Sequence, residues 1–212
     1  MKRILPIVTV LLLILSLSVS AAANTWVLPE GQHSYMMQVP PSGADDPPIF
    51  IYTLNENNEA EIIDFFGEAY DLKIPKTFGN YPVVSIADDA FTMSKTLTSV
   101  IIPDSITKIG DYAFSRCTEL KAVTIPESVQ EIGEYAFSGC IALTSLTIPE
   151  GVTAVKEGTF ASCLKLTQIT LPESVKSIGE DAFLMCRALS HVDIPEGTEV
   201  AENAFRLSGV ND

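Results

Sequence analysis

His191 and Asp193 stand two residues apart near the end of the chain, an imidazole beside a carboxylate. Cys117, Cys140, Cys163 and Cys186 supply four thiols, and the stretch IPESVQEIGEYAFSGC, Ile125 to Cys140, holds three glutamates, a tyrosine, two serines and a cysteine. Each grouping invites a chemistry. A His–Asp pair could activate a serine, a thiolate could attack a substrate or hold zinc, and paired carboxylates could exchange protons.

Spacing decides among these readings. The cysteines recur every 23 residues, and so do the prolines at 103, 126, 149, 172 and 195 and the phenylalanines at 91, 114, 137, 160 and 183, with a sixth at 205 after a one-residue deletion. From Leu97 the rows LTSVIIPDSITKIGDYAFSRCTE, LKAVTIPESVQEIGEYAFSGCIA, LTSLTIPEGVTAVKEGTFASCLK and LTQITLPESVKSIGEDAFLMCRA align almost every apolar position. A looser copy from Leu72 carries a five-residue insertion around Gly79, and the copy after Leu189 is degenerate. Period and atypical end units are the mark of a stacked solenoid.

The repeat acts as an internal control, because a column kept in every copy serves something each coil needs. Neighbouring thiols of one column would lie about 5 Å apart, close enough for disulfides. Pointing the same way beside the phenylalanines, they are predicted instead to be free and to pack as small apolar groups. A straight column does not converge on zinc. One acidic column (Asp88, Asp111, Glu134, Glu157, Glu180, Glu202) is predicted to cap helical turns, and a second (Asp104, Glu127, Glu150, Glu173, Glu196) follows the prolines. Neither has the Gly-Asp-rich loops that cage calcium, and carboxylates made alike do not divide acid from base. The column Gly110, Gly133, Gly179 carries Ala87, Lys156 and Ala201 elsewhere, so it calls for a small residue rather than positive φ. His191 and Asp193 should share one strand face, too far apart for a direct hydrogen bond, and no serine in an activated turn is near; His33 lies in a polar leader. No catalytic, metal or cofactor site emerges.

The elements that position these columns follow from the pattern. L-x-x-V-x-I reads as a short strand, and proline ends it because it has no N–H for the ladder. Pro-Glu-Ser or Pro-Glu-Gly turns the chain, V-x-x-I forms a second extended piece, and a helical turn carries Ala and Phe. The phenylalanines are expected to form an internal spine. The fold class is an α/β solenoid of about six coils over residues 72–205, with a tail at 206–212. Residues 49–71, with Asn55 to Asn58 between two apolar runs, read as a β-hairpin cap, and the proline-rich residues 24–48 as a flexible leader.

Residues 1–23 have a basic start, an apolar run and Ala21-Ala22-Ala23, the layout of a secretory signal peptide. The run is short and polar for a bilayer span, so no membrane span is expected after cleavage. Removing Lys2 and Arg3 takes the formal net charge from −14 to about −16. Such a chain is repelled by nucleic acid and anionic lipid, which excludes nucleic-acid partners.

The rows, together with the opening unit TFGNYPVVSIADDAF, resemble the BspA-like (Treponema-type) leucine-rich repeat family over residues 50 to 205. The resemblance implies a right-handed superhelix with parallel strands on its concave face and short strands or helical turns on the convex side. It also implies a secreted or surface protein with adhesive or protein-binding roles.

Columns on the strand face pointing away from the core are free to vary, and there a partner would bind. They read Ile101, Thr124, Thr147, Thr170, Asp193 and, beside it, Ser99, Ala122, Ser145, Gln168, His191. Threonine also suits an exposed strand by propensity alone. The expected ligand is an extracellular protein or glycan, without cofactor, and the bare last coil could pair end to end with another copy. Without aromatic anchors the face suits weak or multivalent contact. A carbohydrate-binding module is the alternative; it would need sugar-stacking aromatics, and Tyr112 and Tyr135 on the opposite side are the nearest.

Overall fold

The computed structural model describes residues 28–30, 33–38 and 48–211. Strands β1 (Leu28–Glu30), β2 (His33–Gln38), β3 (Ile49–Leu54) and β4 (Ala60–Phe66) form an antiparallel meander. At the β3–β4 turn, Asn55 Oδ1 accepts the N–H groups of Asn57 and Glu59, and Asn58 takes φ 59°. The leader expected at 24–48 therefore gives way at 28–30 and 33–38 to strands, whose His33–Gln38 segment bonds to β3. The signal peptide expected at 1–23 lies outside the described residues.

Next come β5 (Asp71–Lys73), β6 (Thr77–Phe78) and β7 (Tyr81–Ile86). Each full coil then supplies a three-residue and a two-residue strand. These are β8 (Ser99–Ile101) and β9 (Lys108–Ile109), β10 (Ala122–Thr124) and β11 (Glu131–Ile132), β12 (Ser145–Thr147) and β13 (Ala154–Val155), and β14 (Gln168–Thr170) and β15 (Ser177–Ile178). The last coil has only β16 (Glu199–Val200). The three-residue strands stack in parallel as one side of the solenoid, β5–β8–β10 and β12–β14. The two-residue strands form a second side, β7–β9–β11 and β13–β15–β16, and the cap joins it through the parallel pair β4–β7.

The third side differs from the expectation of helical turns. Among the described residues the only helix is the 3₁₀ turn Gly209–Asn211, so the molecule is a β-solenoid rather than α/β. Two left-handed residues per coil explain this: Tyr112 and Arg116 at φ 57° and 59°, Tyr135 and Gly139 at 54° and 74°, Asp181 and Met185 at 52° and 60°. Such residues break a right-handed helix. Amides between them also turn to the next coil: Tyr112, Phe114 and Arg116 N–H donate to Glu134, Ala136 and Ser138 oxygens at 2.9, 2.8 and 2.7 Å. The acidic column has a matching role. Asp88 Oδ1 accepts the Asp111 N–H at 2.9 Å and Asp111 Oδ1 the Glu134 N–H at 2.8 Å, so these carboxylates tie coil to coil instead of capping helices.

Inside, the phenylalanine rings stack from Phe91 through Phe114, Phe137, Phe160 and Phe183 to Phe205, with centroids 4.9–5.8 Å apart. Phe50, Phe65, Phe78 and Tyr52 carry the aromatic core into the cap. The four thiols are free and buried, and each Sγ–H donates to a phenylalanine carbonyl of the preceding coil at 3.1–3.3 Å. The glycine column needs no positive φ. A Cβ on Gly110 would lie 2.5 Å from the Asp88 nitrogen, so smallness serves close stacking.

Candidate functional site: the outer face of the first sheet

Short parallel strands fix this face. Val100, Leu146 and Ile169 turn inward and are buried, so their neighbours in the pleat must turn outward. Register then aligns Ser99 with Ala122 and Ile101 with Thr124, and Ser145 with Gln168 and Thr147 with Thr170. These eight side chains lie on one face; all but the half-buried Ser99 are exposed. The Thr124 and Thr170 carbonyls accept the Ile102 and Ile148 N–H groups, whereas the hydroxyls of Thr124, Thr147 and Thr170 have no partner among the described residues.

The structure adds two residues that the 23-residue count conceals. β5 pairs with β8 so that Asp71 aligns with Ser99 and Lys73 with Ile101. Asp71 Oδ1 accepts the Ser99 hydroxyl at 2.6 Å. The five-residue insertion after Pro75 places these partners 28 residues apart; the L-x-x-V-x-I pattern, read from Leu72 with that insertion removed, was the available signal.

At the other end, residues 190–194 form no strand, although Val192 stays buried. Here the sequence expectation of separated groups fails. His191 Nε2 and Asp193 Oδ1 meet at 2.9 Å, because the irregular backbone lets two exposed side chains turn toward each other. They border a shallow depression of about 380 Å³ against Thr167–Leu171 of the preceding coil. Its hydroxyl groups are those of Thr167, which donates to Thr144 O at 3.0 Å, and Thr170; no serine or cysteine lines it.

Reactive groups elsewhere are held back. Burial pushes the Cys117 and Cys186 thiols up to about 12, and Cys140 and Cys163 well above the usual thiol range. On the third side Tyr112 and Tyr135 stack at 5.0 Å, and the Tyr135 hydroxyl donates to Glu157. That bond, with burial and the Glu157 charge, pushes the phenol up to about 12. No group of three or more His, Cys, Asp or Glu side chains among the described residues could hold a metal ion. No helix among them is long and apolar enough to cross a membrane.

Comparison with known proteins places this geometry. No curated protein matches the chain. A leucine rich cell surface protein from Faecalibacterium prausnitzii A2-165 is 35% identical, with a TM-score of 0.59 over 81% of this chain and 55% of that one. A leucine-rich repeat protein from Eubacterium ventriosum has a TM-score of 0.61 at 24% identity over 76% of this chain and 48% of that one, and shares the fold alone. The same holds for the pneumococcal vaccine antigen PcpA, at 20% identity and a TM-score of 0.54 over 83% and 51% of the two chains. The chain thus spans about half the length of these solved structures. Residues 84–211, more than half of the chain, match six copies of the BspA type leucine rich repeat region. The chain belongs to the BspA-type leucine-rich repeat family.

Proposed function

We propose that the chain is an extracellular, non-catalytic scaffold that docks a protein partner on the outer face of its first sheet, in adhesion or protein–protein contact. One observation carries this reading: Thr124, Thr147 and Thr170 stand exposed on that face with free hydroxyls. Asp71, Lys73 and the His191–Asp193 pair give the face a polar group at each end. The surface-protein relative supports an extracellular setting, and the buried thiols support the absence of nucleophilic chemistry. Without aromatic anchors the contact is weak or multivalent.

The test is binding of the purified chain to an array of matrix proteins, surface proteins and glycans. The variant T124K/T147K/T170K is expected to lose every partner found; retention of all of them would refute the docking face. Capture of glycans alone would favour the carbohydrate-binding alternative.

A second arrangement is self-association through the last coil, where Ile194, Val200 and Leu207 are exposed at 39%, 41% and 61%. Sedimentation across a concentration series tests it: a mass that stays monomeric removes it.

A further inference from the structure

Both sheets stop pairing at the same place. β10 pairs with β8 and β12 with β14, yet no rung joins β10 to β12. β11 pairs with β9 and β13 with β15, yet no rung joins β11 to β13. At the junctions on either side, the Gln130 N–H donates to Thr107 O at 2.9 Å and the Lys176 N–H to Thr153 O at 2.8 Å. The equivalent amide of Thr153 makes no bond to the preceding coil.

Side chains mark the same junction. Ser128 Oγ donates to Ile106 O at 2.7 Å and Ser174 Oγ to Val152 O at 2.9 Å, but Gly151 stands between them in the column and has no hydroxyl to give. The Phe137–Phe160 centroid distance, 5.8 Å, is the widest in the spine. Val123 and Ile125 are half-buried, whereas Val100, Ile102, Leu146 and Ile148 are at most 4% exposed. What still crosses includes the third side, where the amides of Tyr135, Phe137 and Gly139 donate to Glu157, Thr159 and Ala161 oxygens at 2.9, 2.9 and 2.7 Å. It also includes the Glu150 N–H, which donates to Glu127 Oε2 at 3.2 Å, and the Cys163 and Thr159 side chains, which donate to Phe137 O and Gly133 O at 3.3 and 3.4 Å. The Lys156–Glu131 ion pair at 2.6 Å crosses too.

Lys156 marks the junction in sequence. It occupies the glycine column, where Gly110 and Gly179 approach the preceding coil so closely that a Cβ would lie 2.5 Å and 2.9 Å from backbone nitrogen. Ala87 and Ala201 carry a Cβ there and still donate their N–H groups to Ile62 O and Ile178 O at 2.8 and 2.9 Å, so a Cβ by itself does not part the coils. Lys156 is the one long side chain in this column, and its N–H makes no bond to the preceding coil.

We propose that this junction is a hinge: the block ending at Cys140 and the block beginning at Thr144 rotate about the intact turn ladder at Tyr135–Gly139, opening and closing both sheets between Thr124 and Thr147 and between Ile132 and Val155. A partner lying across Thr124 and Thr147 would select one setting; that consequence rests on the proposed docking face, and the hinge does not.

Two readouts on the free protein test it. In amide exchange resolved by residue, Thr144, Thr153 and Lys156 are expected to exchange roughly 10-fold or more faster than their column equivalents Thr167, Lys176 and Gly179, while Phe137 and Gly139 stay as protected as Phe114 and Ser162. Spin labels at S99C and Q168C are expected to give a broad distance distribution that narrows when K156G restores the column residue. Should K156G not fold, K156A serves the comparison, since Ala201 in the same column keeps its bond to the preceding coil. Equal protection in the unaltered chain, or distributions of equal width with and without the repair, would overturn the hinge.

Discussion

The thiol of Cys163 donates to the carbonyl oxygen of Phe137, 26 residues earlier and one coil away, at 3.3 Å. The same bond recurs for Cys117, Cys140 and Cys186. Repetition makes the cysteines part of the stacking, and burial removes their chemistry.

Thiol reactivity should therefore report folding. With Cys117 and Cys186 pushed up to about 12, about one thiol in 10,000 is ionised at pH 8. Alkylation of the native chain is expected to run at least roughly 100-fold slower than in denaturant, with all four cysteines modified only after unfolding. Fast labelling of the native state, or a mass showing disulfides, would be the contrary result.

The phenylalanine spine should make stability depend on position. Phe137 is fully buried and stacks on Phe114 and Phe160, so F137A is expected to cost about 3–5 kcal/mol in urea unfolding. Phe205 ends the stack and is 7% exposed, so F205A should cost clearly less. Equal losses would mean that the spine does not bear on stability as described.

Gly158 and Gly197 separate backbone strain from crowding. Both have positive φ, 57° and 79°, so alanine at either incurs the left-handed penalty of about 1–2 kcal/mol. At Gly158 a Cβ would also strike the Tyr135 ring, whereas at Gly197 nothing lies within 4 Å. G158A is expected to be the more destabilising, by about 1–3 kcal/mol, and Y135A should recover that excess in a double-mutant cycle.

Tyr135 also sets an alkaline limit. Its bond to Glu157 favours the neutral phenol, with a folded pKa of about 12 against an ordinary 10.0. The resulting stabilisation is fully present below pH 10 and is lost as pH rises through about 12. Phenolate absorbance of the native chain compared with Y135F should assign a late-titrating component to Tyr135, and E157Q should bring that component back toward the ordinary value.

Much of this fold was legible because the sequence repeats it. Phe114, Cys140 and Pro126 each recur in a column, and a recurring residue in a stacked solenoid must meet its own copy. The third side was misread because Ala-Phe flanked by acids has the composition of a helical turn. Left-handed φ at Tyr112, Arg116 and Met185 follows from coil-to-coil hydrogen bonds that no local propensity encodes. Asp71 and Lys73 escaped notice because an insertion shifts their spacing, and the His191–Asp193 contact because an irregular last coil does not keep strand geometry. The outer-face columns were visible as positions free to vary. A surface without recurring demands shows where a partner could sit and leaves the partner's chemistry unwritten.

Affinity of a partner for two matched variants tests the central claim most directly. T124K/T147K/T170K alters the outer face of the first sheet, and Y112K alters the exposed tyrosine of the third side. The docking reading expects the first variant to weaken binding by roughly 30-fold or more, about 2 kcal/mol or above, with the second unchanged. Unchanged binding in the first and loss in the second would contradict it.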